Sequence, residues 1–369
     1  MQLGQKSAGF TRGPEGQKCS VIELRSDNAA GVAPEILAAM QAANTGSALA
    51  YGGDDFTADL QDVVRTVFEH PTARVFPVTS GTAANSLAIS AATPPWGAVL
   101  CHPSAHIITA EGGATALFGG GAVMRGVDGA HALIEPERLR VALESVRWGD
   151  PHESQPSVLS LTLPSDHGTV YEQEQVTKLI AIAREFGLRT HIDGARIANA
   201  VAALGCSPGD VTWRAGADVL SLGATKNGAL SAEAIVDFDD RIADELVYRT
   251  KRSGHVTSKM RFQSVQVAAY LTDGLWLRLA AKANQQMAAL VAELQSLASY
   301  GVRLHERVDV NMAFVEMPAP AIDAAAEAGV MFYRMGPTTV RLVTSWQTTL
   351  EDVTEAATRF REAVLAQAR

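Results

Sequence analysis

Only three cysteines occur in the 369 residues, Cys19, Cys101 and Cys206, and they form no recognisable spacing. That argues against a disulfide framework; buried or idle thiols in a reducing cytoplasm are expected, and no metal site is expected. Positive charge is not in excess: 31 Lys and Arg stand against 40 Asp and Glu, a net charge of −9. A nucleic acid or an anionic membrane is therefore not expected as a partner. No apolar run is long enough to span a bilayer. The first twenty residues lack the apolar core of a signal peptide and are rich in Gly, Gln and Lys, so a loose extension over 1–20 is expected. There is no repeat and no low-complexity tract. No strand pattern runs into Gly-x-Gly-x-x-Gly and a helix, and Gly119-Gly120-Gly121 precedes a strand instead, which argues against a dinucleotide-binding fold.

What is present is a packed globular chain, 47% hydrophobic and 19% charged, too long for one simple core. Apolar runs predict strands over 74–78, 98–101, 121–124, 157–163, 188–193, 218–222 and 232–238. Helical patterns fall between them over 82–92, 136–146, 173–186 and 195–204. Such alternation implies an α/β fold with a mostly parallel sheet, whose ligands sit at the carboxyl ends of its strands. After about Tyr248 the pattern becomes one long helix over 262–300, short strands over 302–304, 311–316 and 340–344, and a last helix over 350–367. The expected division is a large α/β domain over 21–250 and a small α+β domain over 251–369.

Two segments carry most of the chemical information. Thr190-His191-Ile192-Asp193-Gly194-Ala195-Arg196 reads as a buried strand that ends on an acid, and Ser221-Leu222-Gly223-Ala224-Thr225-Lys226-Asn227-Gly228 as a strand that ends on a lysine among small residues. An acid and a lysine at neighbouring strand ends are what pyridoxal 5'-phosphate (PLP) requires: the lysine forms the Schiff base, and the acid keeps the pyridine nitrogen protonated. Each residue alone reads more simply, Lys226 as a solvated loop lysine and Arg196 as half of a surface ion pair. An arginine inside so apolar a run nevertheless needs a partner. Ser80-Gly81-Thr82-Ala83-Ala84-Asn85 opens a helix after the first strand, where free N–H groups favour an anion such as the cofactor phosphate. His106 follows the strand ending at Cys101 and can stack on a flat ring, although by itself a loop histidine is the commoner reading. Glu111 either supports it or is simply a helix residue. Arg341, inside the apolar strand Val340-Arg341-Leu342-Val343, calls for a planar anion, and Ser26 can assist it. Lys259 and Arg261 can reach a phosphate.

Together these segments resemble the L-threonine aldolase family of fold-type I PLP enzymes, the aspartate aminotransferase-like group. The resemblance rests on Leu24-Arg25-Ser26-Asp27, Ala50-Tyr51-Gly52-Gly53-Asp54-Asp55, Ser80 to Asn85, Ala105-His106 with Glu111-Gly112-Gly113, Asp193 to Ala200, Gly223 to Gly228 and Arg341-Leu342-Val343-Thr344. It implies retro-aldol cleavage of a β-hydroxy-α-amino acid to glycine and an aldehyde. Lys226 would carry the cofactor, Asp193 pair with its ring nitrogen, Arg196 contact its phenolic oxygen and His106 stack on its ring. Gly81 and Thr82 would bind its phosphate, and Ser26 and Arg341 the substrate carboxylate. A cytoplasmic homotetramer, a dimer of dimers with shared sites, is implied too, with Tyr51 and Lys259 or Arg261 acting across an interface. One departure stands out. Where many members carry Thr-His-Asn-Gly, with the histidine near the substrate β-hydroxyl, this chain has Ser165-Asp166-His167-Gly168. The base for that hydroxyl then falls to a water, His106, His167 or an acid such as Asp166. The alternatives are a PLP-dependent β-elimination giving keto acid and ammonia, which the same residues serve, and a binding protein that has kept the fold.

Overall fold

The structure, a computed structural model, describes residues 21–367; Cys19 and the extension expected over 1–20 lie outside the described residues. Its strands are β1 (Ile22–Glu23), β2 (Arg74–Val78), β3 (Gly97–Cys101), β4 (Val123–Gly126), β5 (Gln155–Thr162), β6 (Arg189–Gly194), β7 (Val219–Leu222), β8 (Glu233–Asp237), β9 (Arg303–Leu304), β10 (Met312–Glu316), β11 (Val330–Met331), β12 (Tyr333–Arg334) and β13 (Thr339–Val343). Seven of them form one sheet in the order β2-β8-β7-β6-β5-β3-β4. Neighbours pair in parallel except β8, which runs antiparallel to both β2 and β7. The inner strands are largely buried along their length, because helices cover both faces.

Alternate residues of these strands feed different cores. Leu100, Leu159, Ile192, Leu220 and Val236 pack on one face, under helices Pro34–Ala43, Asp55–Val67, Gln173–Glu185, Ile197–Leu204 and Arg261–Leu271. Val99, Val158, Val219 and Ile235 pack on the other, under helices Gly81–Ala92 and Asp240–Arg252. A third core lies between the antiparallel sheet β12-β13-β10-β9 and helices Leu275–Gln295, Ala319–Glu327 and Leu350–Ala366. Ile22 and Leu24 belong to that third core, because β1 pairs with β11 and Leu24 O accepts Val343 N–H at 2.9 Å.

Helix ends follow local chemistry. Ser80 Oγ accepts the Ala83 N–H at 3.2 Å, Asp54 caps helix Asp55–Val67, and capping boxes open helices Gln173–Glu185 and Leu350–Ala366. The long helix expected over 262–300 is instead two. Asp273 (φ 51°) and Gly274 (φ 66°) both enter the left-handed region and end helix Arg261–Leu271 before Leu275–Gln295 begins. The second of these contributes Leu275, Trp276 and Ala280 to the first core and Met287, Leu290 and Leu294 to the third.

Candidate active site

The carboxyl ends of β6 and β7 lie side by side, with Asp193 opposite Ser221 and Gly194 opposite Leu222. Past them the two backbones touch. Gly223 N–H donates to Gly194 O at 3.0 Å, and a Cβ on Gly223 would stand 2.2 Å from Ala195 O. This contact is why glycine stands at 223, and it brings Asp193-Gly194-Ala195-Arg196 against Gly223-Ala224-Thr225-Lys226. Asp193 is 2% exposed. Its Oδ1 accepts Ala195 N–H at 3.1 Å and its Oδ2 accepts from Asn85 Nδ2 at 3.0 Å. Below it His191 is held between Ser160 and Ser221, and burial pushes its imidazole down to about 4, so it is neutral and structural.

Lys226 sits in the short turn Thr225–Asn227. The turn is fastened at both ends. Glu233 Oε2 accepts Ala224 N–H at 2.6 Å, while Asn227 Nδ2 donates to Tyr270 Oη at 2.9 Å and to Trp276 O at 2.8 Å. Among the described residues the Lys226 amine makes no hydrogen bond or ion pair. Two buried acids stand in its field. Glu233 is raised by burial against the opposing pull of Ala224 N–H and Lys226. Asp27 is pushed up by burial, but Arg196, with Lys226 and Asn311 adding to it, more than offsets this and holds it below the usual carboxylate range.

Arg196 has the partner its apolar setting demanded. It grips Asp27 with two hydrogen bonds, Nε to Oδ2 at 2.6 Å and Nη2 to Oδ1 at 2.9 Å, and Asn311 Nδ2 adds a third at 3.2 Å. Bidentate geometry and extra donors offset the desolvation of such a buried pair. Arg341 comes close as well. Its Nη2 donates to Arg25 O at 3.3 Å beside Ser26, its guanidinium lies 5.0 Å over the Tyr333 ring, and its buried Nε–H has no partner among the described residues. Burial, then the charge of Arg196, lowers its pKa. Two guanidinium groups within each other's field, one with an unused N–H, suit a carboxylate.

On the other side, His106 Nδ1 lies 2.9 Å from Glu111 Oε1, and the hydrogen bond to Glu111 raises its pKa against burial. Glu111 sits in the bend between two short helices rather than on a helix. His106 N–H donates to Asp166 Oδ2 at 2.9 Å. Asp166 is aimed by a turn pressed onto β10: Gly168 (φ 82°) has no room for a side chain, since a Cβ would stand 2.7 Å from Met312 O. Burial, then Asp193, pushes the Asp166 carboxyl up to about 6. His167 diverges from its neighbour, its Nδ1 3.5 Å from Glu306 and its ring 5.1 Å from that of Phe314.

The structure thus gathers Asp193, Lys226, His106, Asp166, Arg196, Ser26 and Arg341 around one site. It does not bring in Tyr51, Lys259 or Arg261: among the described residues no hydrogen bond, ion pair or ring contact joins them to that group. Sequence reasoning missed Asp27, Asn85 and Glu233 as parts of the site. Only the quoted segments Leu24 to Asp27 and Ser80 to Asn85 hinted at the first two, and nothing signalled Glu233, whose partners are set by the pairing of β7 with β8. Among the described residues no group of three or more His, Cys, Asp or Glu could hold a metal.

The site also passes a test of fit for PLP. The amine is free, the acid is buried on the adjoining strand, and Gly81 opens helix Gly81–Ala92 with nothing within 4 Å of where its Cβ would be. The first N–H groups of that helix have no intrahelical acceptor and suit a phosphate. Acid and free lysine at adjoining strand ends of such a sheet define a fold-type I PLP enzyme.

Comparison with known proteins carries this further. Residues 23–320 match the family described as beta-eliminating lyase. The chain is 39% identical over 348 residues to the low specificity L-threonine aldolase of a Pseudomonas species, covering 93% of this chain and 98% of that one. It is 40% identical over 341 residues to the low specificity L-threonine aldolase of Pseudomonas aeruginosa, covering 92% and 97%. A solved threonine aldolase of Leishmania major superposes with a TM-score of 0.86 at 26% identity, covering 92% of this chain and 98% of that one. Aspartate aminotransferase of Thermus thermophilus, with a TM-score of 0.67 at 17% identity over 93% and 91% of the two chains, shares the fold. The chain belongs to the beta-eliminating lyase family, among its L-threonine aldolases.

Proposed function

We propose that the protein cleaves L-β-hydroxy-α-amino acids such as threonine, allo-threonine or phenylserine to glycine and an aldehyde. The observation that carries this reading is identity of about two residues in five with low-specificity threonine aldolases along nine-tenths of the chain. PLP, when bound, supplies an acceptor for the electron pair released at Cα. Lys226 would hold the cofactor through its amine, which makes no hydrogen bond or ion pair among the described residues. Asp193 would keep the proton on the pyridine nitrogen, Arg196 would serve the phenolic oxygen and His106 the ring, and Gly81 and Thr82 would bind the phosphate. Ser26 and Arg341 hold the substrate carboxylate and so help orient the Cα–Cβ bond. Asp166 takes the β-hydroxyl proton, a role supported by its raised pKa and its place beside His106. As the Cα–Cβ bond breaks, the β-oxygen becomes the aldehyde carbonyl, and a proton added at Cα yields glycine.

We further propose a homotetramer in the cytoplasm, a dimer of dimers in which Tyr51 and Lys259 or Arg261 serve the neighbouring subunit's site. The free thiols of Cys101 and Cys206 are in keeping with a reducing compartment.

β-Elimination is the competing reading, and the family description keeps it in view. Product analysis separates the two. The PLP-loaded protein, incubated with L-threonine and separately with β-phenylserine, is expected to release glycine and an aldehyde. Keto acid and ammonia as the main products would move the protein to the eliminating enzymes.

A further inference from the structure

Asn85 and Glu111 have no task in the reaction as written, yet they occupy its centre. Asn85 lies in the second turn of helix Gly81–Ala92 and is 2% exposed. Its one side-chain nitrogen donates twice, to Glu111 Oε1 at 2.8 Å and to Asp193 Oδ2 at 3.0 Å. An amide NH2 carries two hydrogens, so both bonds form together. The same Glu111 oxygen lies 2.9 Å from His106 Nδ1. An ionised carboxylate only accepts, so the hydrogen of that second bond belongs to Nδ1. Four side chains from four segments therefore form one line: Asp193 at the end of β6, Asn85 on a helix, Glu111 in a bend, and His106 on a short helix.

The line is costly to bury. The Glu111 side chain has no exposed surface, and two of its neighbourhood's acceptors, Glu111 Oε2 and Asn85 Oδ1, have no hydrogen-bond partner among the described residues. A core that needed only to be filled would be cheaper with apolar side chains. Two acids this close would also repel, and the amide between them offsets that repulsion by giving a hydrogen to each. Asn85 thus does for the Glu111–Asp193 pair what neither residue can do for itself.

We propose that Asn85 and Glu111 are positioning residues that tie Asp193 and His106 into one hydrogen-bonded unit, so that the group meeting the PLP ring nitrogen and the group lying on the PLP ring are aligned together. This rests on the PLP roles given above for Asp193 and His106. Asn85 clamps Asp193 Oδ2 opposite the clamp of Ala195 N–H on Oδ1. Glu111 fixes the His106 ring plane and leaves Nε2 as the nitrogen that faces outward from the pair. Disturbing either linker is then felt at the far end of the line.

The test uses Asn85→Ala, Glu111→Gln and the double variant, with two readouts that do not depend on turnover. One is the dissociation constant of PLP for the cofactor-free chain. The other is the imidazole titration of His106 in selectively labelled protein, its signal assigned by its loss in His106→Asn. The charged groups facing His106 are Glu111, Asp166 and Asp193. Removal of the Glu111 charge is expected to lower the His106 midpoint. Asn85→Ala, at a residue with no hydrogen bond to His106 among the described residues, is expected to move that midpoint too. Each single variant is expected to weaken PLP about tenfold, the scale of one hydrogen bond to a charged group, because each cuts the line that aligns Asp193 with His106. The double variant is expected to be no weaker than the poorer single one, because one unit is broken once. A His106 titration unmoved by Asn85→Ala, with PLP losses that multiply in the double variant, would overturn the proposal. If Asn85→Ala does not fold, Asn85→Ser carries the same comparison. Neither readout concerns the products released, so failure here and failure of the aldolase reading are separate results.

Discussion

Asp166 is the residue at which this chain leaves the pattern of its family, where a histidine is common. A carboxyl in place of an imidazole serves as a base near neutral pH only if its pKa rises, and the surroundings raise it. Burial comes first and the charge of Asp193 second, together carrying it to about 6. If Asp166 is the base, its ionised form accepts the β-hydroxyl proton, and activity is then expected to be lost as pH falls through about 6 rather than through the ordinary aspartate range. Asp166→Asn keeps an oxygen for the His106 N–H and removes the base. We expect kcat/KM for threonine and phenylserine to fall by about 10²–10⁴, the usual contribution of a positioned base. The acid limb of the pH profile near 6 should go with it. A variant with normal turnover on both substrates and the same acid limb would remove Asp166 from the reaction. A changed ratio between the substrates alone would make it a specificity group instead.

Turns and strand ends, more than strands, decide where the chemistry falls. Gly223 is the clearest case, because the lysine turn can lie against the Asp193 loop only where a Cβ is missing, 2.2 Å from Ala195 O. Gly223→Ala forces those two segments apart. We expect a loss of about 1–3 kcal/mol in denaturant unfolding, typical of overpacking, together with weaker PLP binding. An unchanged midpoint and unchanged PLP affinity would show that the contact is dispensable. The same contrast explains what was legible beforehand. The strands of a helix-covered sheet announce themselves as short runs rich in apolar residues, so β2 to β8 were readable to within a few residues, and so were the acid and lysine at their ends. The break at Asp273-Gly274 was not, because the apolar pattern of the helix continues across it. β1 has two residues, too few for any periodicity. The acid that neutralises Arg196 was equally hidden, since Asp27 lies 169 positions away and only folding makes them neighbours. Asp166 and His167 are adjacent in the chain, yet one turns to His106 and the other to Glu306, a divergence set by the packing of Gly168 on β10.

At the scale of the whole molecule, the residues left outside the site form a patch of their own. A Cβ on Gly52 would stand 3.0 Å from Met260 Sδ, so the loop bearing Tyr51 lies against the segment bearing Lys259 and Arg261. Tyr51 is held at φ 58°, a conformation costly for a bulky residue and one that recurs at functional positions. It is 59% exposed, Leu49 two residues before it is 74% exposed, and Lys251 lies 4.7 Å over its ring, on a helix that also carries Tyr248, 76% exposed. Large apolar side chains and cations gathered on one exposed face fit a surface that a second subunit covers. If that subunit's site uses them, activity can be rebuilt from two dead chains. Lys226→Ala lacks the amine, and Arg261→Ala lacks the group that would cross the interface. In a twofold dimer mixed from both, one site holds an intact Lys226 from one chain and an intact Arg261 from the other, while its mate holds neither. Random reassociation should therefore recover about a quarter of the wild-type activity. A mixture no more active than its parents, although mixed oligomers are present by mass spectrometry, would confine each site to a single chain and leave the patch of Tyr51, Lys259 and Arg261 without a catalytic task.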